Sequence, residues 1–137
     1  MGHKLVIVKA STAGEIDPAF AVLAQRKVTA LFVNADPLYN VNSPKIVALA
    51  TRHAMRTVTS WEGFAADGGL ISYGTSINEA NRQLGVYTGR VLKGTRPGDL
   101  PVVQSTKFQL VINLKTAKAL GIIIPQTLLL RADQVIE

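Results

Sequence analysis

The chain has no cysteine, which excludes disulfide frameworks, thiolate metal sites and cysteine nucleophiles together. Histidine is almost as scarce: His3 and His53 are the two present. Neither stands in a His-Glu-x-x-His spacing, and neither a Gly-x-Ser-x-Gly elbow nor a Gly-rich phosphate loop occurs, so hydrolase and nucleotide-binding readings lack their parts. Acidic residues are few, with 9 Asp+Glu against 15 Lys+Arg and a net charge of +6. The excess is dispersed along the second half of the chain, from Arg82 and Arg90 to Lys115 and Lys118. Without a recognition motif or a basic run interleaved with aromatics, that spacing describes a solvated face and not a nucleic-acid surface. Long apolar runs are missing too, so no stretch approaches the roughly 18–20 residues of a membrane-spanning helix. At the N-terminus Met1-Gly2-His3-Lys4 passes straight into Leu5-Val6-Ile7-Val8, too short an apolar stretch for a secretion signal.

What is present suits one compact unit. With 137 residues, 47% hydrophobic and 18% charged, the chain has material for a single core and not for a disordered tail. Residues 5–8 form a continuous aliphatic run, as buried parallel strands do. Ala10-Ser11-Thr12-Ala13-Gly14 follows as a small-residue loop. Ser11 or Thr12 is placed to cap a helix whose first turn carries Glu15 and Asp17 and whose apolar face carries Ile16, Phe20 and Leu23. The unit then repeats. A strand over 29–33 leads into a polar loop over 34–40, and a helix starts near Ser43-Pro44, with proline at its tolerated first position. A third strand covers 56–59. Strands alternating with helices of this length imply βαβ crossovers and a parallel sheet.

Beyond Trp61 the pattern changes. Residues 62–67 form a short helix or loop, and 68–74 a strand bracketed by glycines. The longest amphipathic helix spans Ile77–Leu92, with Ile77, Ala80, Leu84, Tyr87 and Val91 on one stripe and Gly94 as its stop. A proline-containing linker over 95–101 precedes a strand over 108–112. Asn113 caps a helix near 114–120 that Gly121 ends, and 125–137 holds one or two more helical turns and a last strand fragment. The helix over 77–92 lies between two linker-like segments, as a helix made to pack on something else would.

The block Phe108-Gln109-Leu110-Val111-Ile112-Asn113-Leu114-Lys115-Thr116-Ala117-Lys118-Ala119-Leu120-Gly121, with Ile124-Pro125 and Leu129-Leu130-Arg131-Ala132-Asp133 after it, closely resembles the C-terminal signature of a bacterial family. That family is the ABC-transporter substrate-binding proteins related to tryptophan/tyrosine importers. Gly69-Leu70-Ile71-Ser72-Tyr73-Gly74, Leu92-Lys93-Gly94 and Leu100-Pro101-Val102 resemble it in the same order. Members of the family are roughly twice as long, with a signal peptide and a first lobe. The resemblance therefore implies that residues 1–137 are a single C-terminal lobe of a type I periplasmic binding protein, an α/β, flavodoxin-like three-layer lobe built on a parallel sheet. It further implies a periplasmic location, an ABC permease as partner of the whole protein, and a small organic solute such as an aromatic or branched amino acid as ligand. No cofactor, no metal and no catalysis follow from it. By the same analogy, 72–76 and 102–107 are hinge crossings, and the helix over 77–93 covers the other lobe. In a lone lobe its stripe would find a substitute in a self-associated dimer.

In open parallel sheets ligands settle outside the carboxyl ends of the strands, where loops and helix N-termini expose polar groups. Ser11 and Thr12 follow the first expected strand, and their hydroxyls suit a carboxylate or an amide, or else simply cap a helix. Asp36 follows the second. It can pair with a ligand ammonium or accept from its own backbone before Pro37. Tyr39, Tyr73 and Trp61 can stack on an apolar ligand group or serve as packing residues. His53 is expected to be structural. A phospho-receiver domain is the alternative reading, matching in length, alternation and an Asp after a central strand. Its chemistry needs further carboxylates at the end of the first strand to hold Mg²⁺, and Val8-Lys9-Ala10-Ser11 supplies none.

Overall fold

The computed structural model describes residues 4–104 and 106–137. The elements run α1 (Ile16–Gln25), β1 (Ala30–Val33), α2 (Pro37–Val41), α3 (Ser43–Arg52), β2 (Arg56–Thr59), α4 (Gly63–Ala66), β3 (Ile71–Thr75), α5 (Ile77–Leu92), β4 (Phe108–Asn113), α6 (Leu114–Ala119), α7 (Gln126–Leu129) and β5 (Gln134–Ile136). The five strands form one sheet in sequential order. β1, β2 and β3 are parallel, as the alternation of strands and helices predicts, while β3 pairs with β4 antiparallel and β4 with β5 parallel. The sheet is therefore mixed and mostly parallel. The antiparallel pair arises because the chain leaves the sheet at the end of β3, makes α5, and re-enters alongside its own exit, with Ser76 N–H donating to Lys107 O at 3.1 Å just beyond the ladder.

The main core cluster lies under one face, although Ile112, in register with Ile71, is fully buried on the other. Ile16, Phe20 and Leu23 of α1, Ile46 and Ala50 of α3, Val33, Met55 and Phe64 make one buried cluster. These are the positions that helical spacing selects in α1 and α3. Lys45 Nζ fastens the two helices, donating to Ala13 O at 3.0 Å and pairing with Asp17 at 2.5 Å. That ion pair holds the Asp17 carboxyl below its ordinary pKa, chiefly through the lysine's hydrogen bond. Buried polar groups on the sheet are mostly satisfied. Thr57 Oγ1 accepts from Leu70 N–H at 3.0 Å, and Asn113 donates to Ala65 O at 2.9 Å while capping α6 through Thr116 N–H at 3.0 Å. Off the sheet, at the start of α3, the Ser43 hydroxyl is buried without a partner among the described residues.

Two expectations need correction. Residues 5–8 are not a hydrogen-bonded strand of the sheet. Val6, Val8 and Ala10 pack partly buried on the core cluster, whereas Leu5 and Ile7 are 82% and 75% exposed. The alternation is that of a strand, but the backbone pairs with no neighbour in the sheet. The start of α1 also differs. A 3-10 turn, Ala13–Glu15, precedes it, and Thr12 makes no side-chain cap there. Neither the turn nor α1 has a side-chain cap; Glu15 Oε2 instead reaches back to accept from Ser11 N–H at 2.8 Å, which ties the preceding loop to the turn.

The opposite face of the sheet is only partly covered. The registers place Phe32, Val58, Ile71 and Tyr73 on that side, opposite Val33, Thr59 and Ser72. Phe32 is 65% exposed and Tyr73 is 55% exposed. α5 covers none of them: no residue of this 16-residue helix is buried. It is held by its Ser76 cap, by Tyr87 Oη donating to Pro101 O at 2.5 Å and by an exposed Glu79–Arg82 ion pair.

Candidate functional site

Sequence reasoning selected six residues on three loops and one strand. The fold brings three of them together. Ser11, Asp36 and Tyr39 line one cleft of about 400 Å³ with Lys9, Ala10 and Leu38. The cleft lies where the segment leading into α1 and the loop after β1 meet, at the carboxyl end of β1. Topology makes this the place where a parallel sheet presents its loops to a ligand.

Each wall has a local cause. Asp36 ends the β1 loop as the N-cap of α2, with Pro37 at the first helical position, and its Oδ1 accepts from Leu38 N–H at 2.8 Å. The bland reading of Asp36 thus holds for one oxygen. The carboxylate remains exposed at the cleft, so its negative charge is still on offer. α2 itself was expected as loop. The Asp36-Pro37 pair starts a short helix there by supplying a cap and a preset φ together. Tyr39, on α2, is half-buried against the core. Its Oη donates to Ala10 O at 2.9 Å, which pins the two walls to one another and uses the hydroxyl for structure. Ser11 is exposed at the rim, with its amide already engaged by Glu15. Thr12 follows it in sequence, exposed and outside the cleft lining.

Lys9 was missed. It is exposed and lines the same cleft. The signal was legible: in a strand-like segment whose Val6, Val8 and Ala10 turn inward, Lys9 turns outward at the carboxyl end. A cation and a carboxylate on one small cleft suit a zwitterion better than either charge alone.

The other two residues stand apart. The Trp61 ring lies over Gly63, where an added Cβ would come within 2.7 Å of the ring, and it packs partly on the core. That is the packing-anchor reading. Tyr73 stacks on Phe108 with ring centroids 5.7 Å apart, on the sheet face opposite the core. His53 sits at the end of α3, exposed, with its ring 6.4 Å from that of Phe20. Among the described residues, no group of three His, Asp or Glu side chains could hold a metal ion, so the carboxylate cluster of a phospho-receiver has no counterpart there. Among the described residues, no helix is long and apolar enough to cross a membrane.

The profile of a family described as ABC transporter substrate binding protein matches residues 1–136. A tyrosine-binding protein of Clostridioides difficile (strain R20291) is 29% identical over 110 residues, which cover 80% of this chain and 32% of that protein. Among solved structures, the ABC domain from Streptococcus pneumoniae in complex with L-tryptophan is 31% identical, with a TM-score of 0.85 over 93% of this chain and 43% of that one. A conserved domain protein from Vibrio cholerae is 24% identical and has a TM-score of 0.89 over 96% of this chain and 44% of that one. The second of these structures bears on the fold alone. The chain spans about a third of the length of the curated relative and under half of the solved structures.

Proposed function

The chain belongs to the ABC transporter substrate-binding proteins, and from that premise we propose that it forms the C-terminal lobe of a two-lobed protein that holds an amino acid without altering it. The family's members are extracytoplasmic proteins, and the periplasm is the location proposed for the whole protein, with an ABC permease as its partner in import. The observation that carries the ligand reading is the cleft with a cation, a carboxylate and a hydroxyl on its rim. The Asp36 carboxylate pairs with the ligand ammonium, Lys9 with its carboxylate, and Ser11 offers a hydroxyl at the rim, while Thr12 lies outside the cleft lining. Tyr39 supplies an apolar ring edge beside them. An aromatic ligand fits this reading, since the relatives are described as binding tyrosine and as complexed with L-tryptophan. Trp61 and Tyr73 lie outside the cleft lining, and their role in the ligand reading is confined to the surface facing a second lobe.

Two-jaw binders gain affinity by desolvating the ligand between both lobes. One lobe alone therefore binds weakly, with no thermal shift at micromolar L-tryptophan or L-tyrosine. At millimolar ligand, amide NMR shifts are expected at Lys9, Ser11 and Asp36. They should weaken at least tenfold in Asp36→Asn, and with N-acetyl-tryptophan, which lacks the ammonium. Equal binding of the acetylated ligand would remove Asp36 from the reading, and shifts centred elsewhere would overturn it.

The exposed stripe of α5, with Ile77 at 50% and Leu84 at 65% exposure, is read as the surface that packs on the other lobe. In the isolated chain it drives self-association instead. Light scattering at tens of micromolar should show a dimer that Leu84→Lys dissociates; a monomer at that concentration would refute the self-association.

A further inference from the structure

We infer that the end of the sheet opposite the cleft is an electropositive docking surface for anionic lipid headgroups. The inference goes beyond the proposed function and rests on it only for a membrane within reach.

The topology gathers charge that the sequence scatters. β1, β2 and β3 begin at this end, and β4, antiparallel to β3, finishes there together with β5. Six cations arrive with the segments that serve those strands. Arg26 ends α1, and Lys27 follows it toward β1. Arg52 ends α3, and Arg56 opens β2 in register with Ala30. Lys115 and Lys118 stand three residues apart on α6, which starts where β4 ends. Thr116, between them, donates its hydroxyl to Gly68 O at 2.8 Å, just before β3. All six residues are exposed, and none is in an ion pair among the described residues. Arg52 has a distant acidic neighbour: the Asp17 carboxyl, lowered in pKa chiefly by Lys45, is lowered slightly further by Arg52. Asp67, in the turn before β3, and Glu137, after β5, are the acids at this end. It therefore carries four of the six net positive charges of the chain.

Local folding explains only part of this. Arg26 and Arg52 complement the C-terminal ends of α1 and α3. Two others stand against local preference. Lys27 takes φ 54°, in the left-handed region that favours glycine. Lys115 lies in the first turn of α6, where the helix dipole disfavours a cation.

The composition of the surface selects its partner. From β1 to β4 it spans three inter-strand spacings, about 14 Å, too broad for one phosphate or carboxylate. Residues 25–29, 52–56, 66–70 and α6 contain no Phe, Tyr or Trp, and none of the large apolar side chains exposed elsewhere. A protein partner would be anchored by such side chains, and a single-stranded nucleic acid would stack on aromatics. Lipid headgroups need neither. They present a plane of anions, to which each nearby cation adds its own increment. Docked by this end, the lobe keeps the Ser11–Asp36–Tyr39 cleft, at the carboxyl end of β1, turned away from the lipid.

The test is co-sedimentation of the 137-residue chain with vesicles of phosphatidylcholine and phosphatidylglycerol at about two to one. Binding should be at least tenfold weaker on pure phosphatidylcholine and lost in molar salt. Lys115→Glu with Lys118→Glu, and separately Arg26→Glu with Lys27→Glu, should each weaken it at least tenfold. Arg90→Glu with Lys93→Glu, at the far end of α5, changes the net charge by the same amount and should weaken it less than twofold. Lys115→Gln with Lys118→Gln should show the same loss in smaller degree, and it serves if a charge reversal fails to fold. No binding to the anionic vesicles, binding that survives molar salt, or equal weakening by the α5 pair would each overturn the surface. So would capture by polyglutamate without binding to vesicles, since an acidic protein would then be the partner. The L-tryptophan shifts at Lys9, Ser11 and Asp36, recorded without vesicles, keep the two readings apart. Shifts without vesicle binding sink the lipid surface alone, and vesicle binding without shifts sinks the solute reading alone.

Discussion

Helices α3 and α5 are both amphipathic by sequence, yet α3 buries Ile46 and Ala50 at 3% and 2% exposure, while α5 buries nothing. The short helix is welded into the domain and the long one stands on its caps. The comparison teaches that a hydrophobic stripe predicts that a face is to be covered but says nothing about which surface covers it. α3 connects two neighbouring parallel strands, so its crossover lays it on the sheet between them. α5 connects two strands that pair antiparallel, so the chain leaves and returns at the same end of the sheet, and nothing in the topology lays α5 across it.

The contrast can be broken most decisively by truncating one side chain in each region. Phe20→Ala, under α1, should cost about 3–5 kcal/mol by urea denaturation, whereas Leu84→Ala on α5 should change stability by less than about 0.5 kcal/mol. A cost above that in a monomeric sample would show α5 packed in solution. A smaller effect is expected where the two regions join. An added Cβ at Gly74, on the exit strand β3, would fall 1.8 Å from Ser60 O. Backbone must move to admit it, so Gly74→Ala should destabilise by about 1–3 kcal/mol, while Thr75→Ala, exposed next to it, should be nearly silent. Smaller still and opposite in sign is Ser43→Ala. It removes the unpaired buried hydroxyl at the start of α3 and should raise the unfolding free energy by about 1 kcal/mol.

The smallest effect is electrostatic. The carboxyls of Asp17, beside Lys45, and Glu79, beside Arg82, are both held below their ordinary pKa by those partners. A depressed carboxyl stabilises the fold above its unfolded pKa of about 4. That contribution fades as pH falls through the lowered folded value. Lys45→Met should flatten this acid limb in the cooperative unfolding transition, because Asp17 joins α1 to α3. Arg82→Met should leave that transition unmoved and reduce only the helicity of α5, as read by circular dichroism. Both effects should vanish in molar salt, since the pairs are exposed.

Much of the local structure was legible. The cap Asn113 and the stops Gly94 and Gly121, at φ 98° and 64°, stand where residue type alone puts them, because capping depends on groups within one turn. The strands around Leu31, Val58 and Val111 were legible for the same reason. The candidate cleft was half legible. Asp36, Ser11 and Tyr39 were named one at a time from their loop positions. That Tyr39 would spend its hydroxyl on Ala10 O, and that Lys9 would stand beside Asp36, depends on contacts between segments distant in sequence. Trp61, selected by the same loop logic, and Tyr73, selected from a strand, stand elsewhere, since an aromatic at either place fits a ligand and a packing site equally well.

By itself, then, the amino-acid order determined the local elements: where helices begin and stop, which of their faces are apolar, and that βαβ units build the first half. Those are short-range matters of dihedral preference, capping and period. Only the tertiary structure decided that β3 and β4 run antiparallel, that residues 5–8 stand apart from β1, and which loop side chains share a cleft. Pairing and proximity depend on the closure of the whole sheet, a property that no single segment carries.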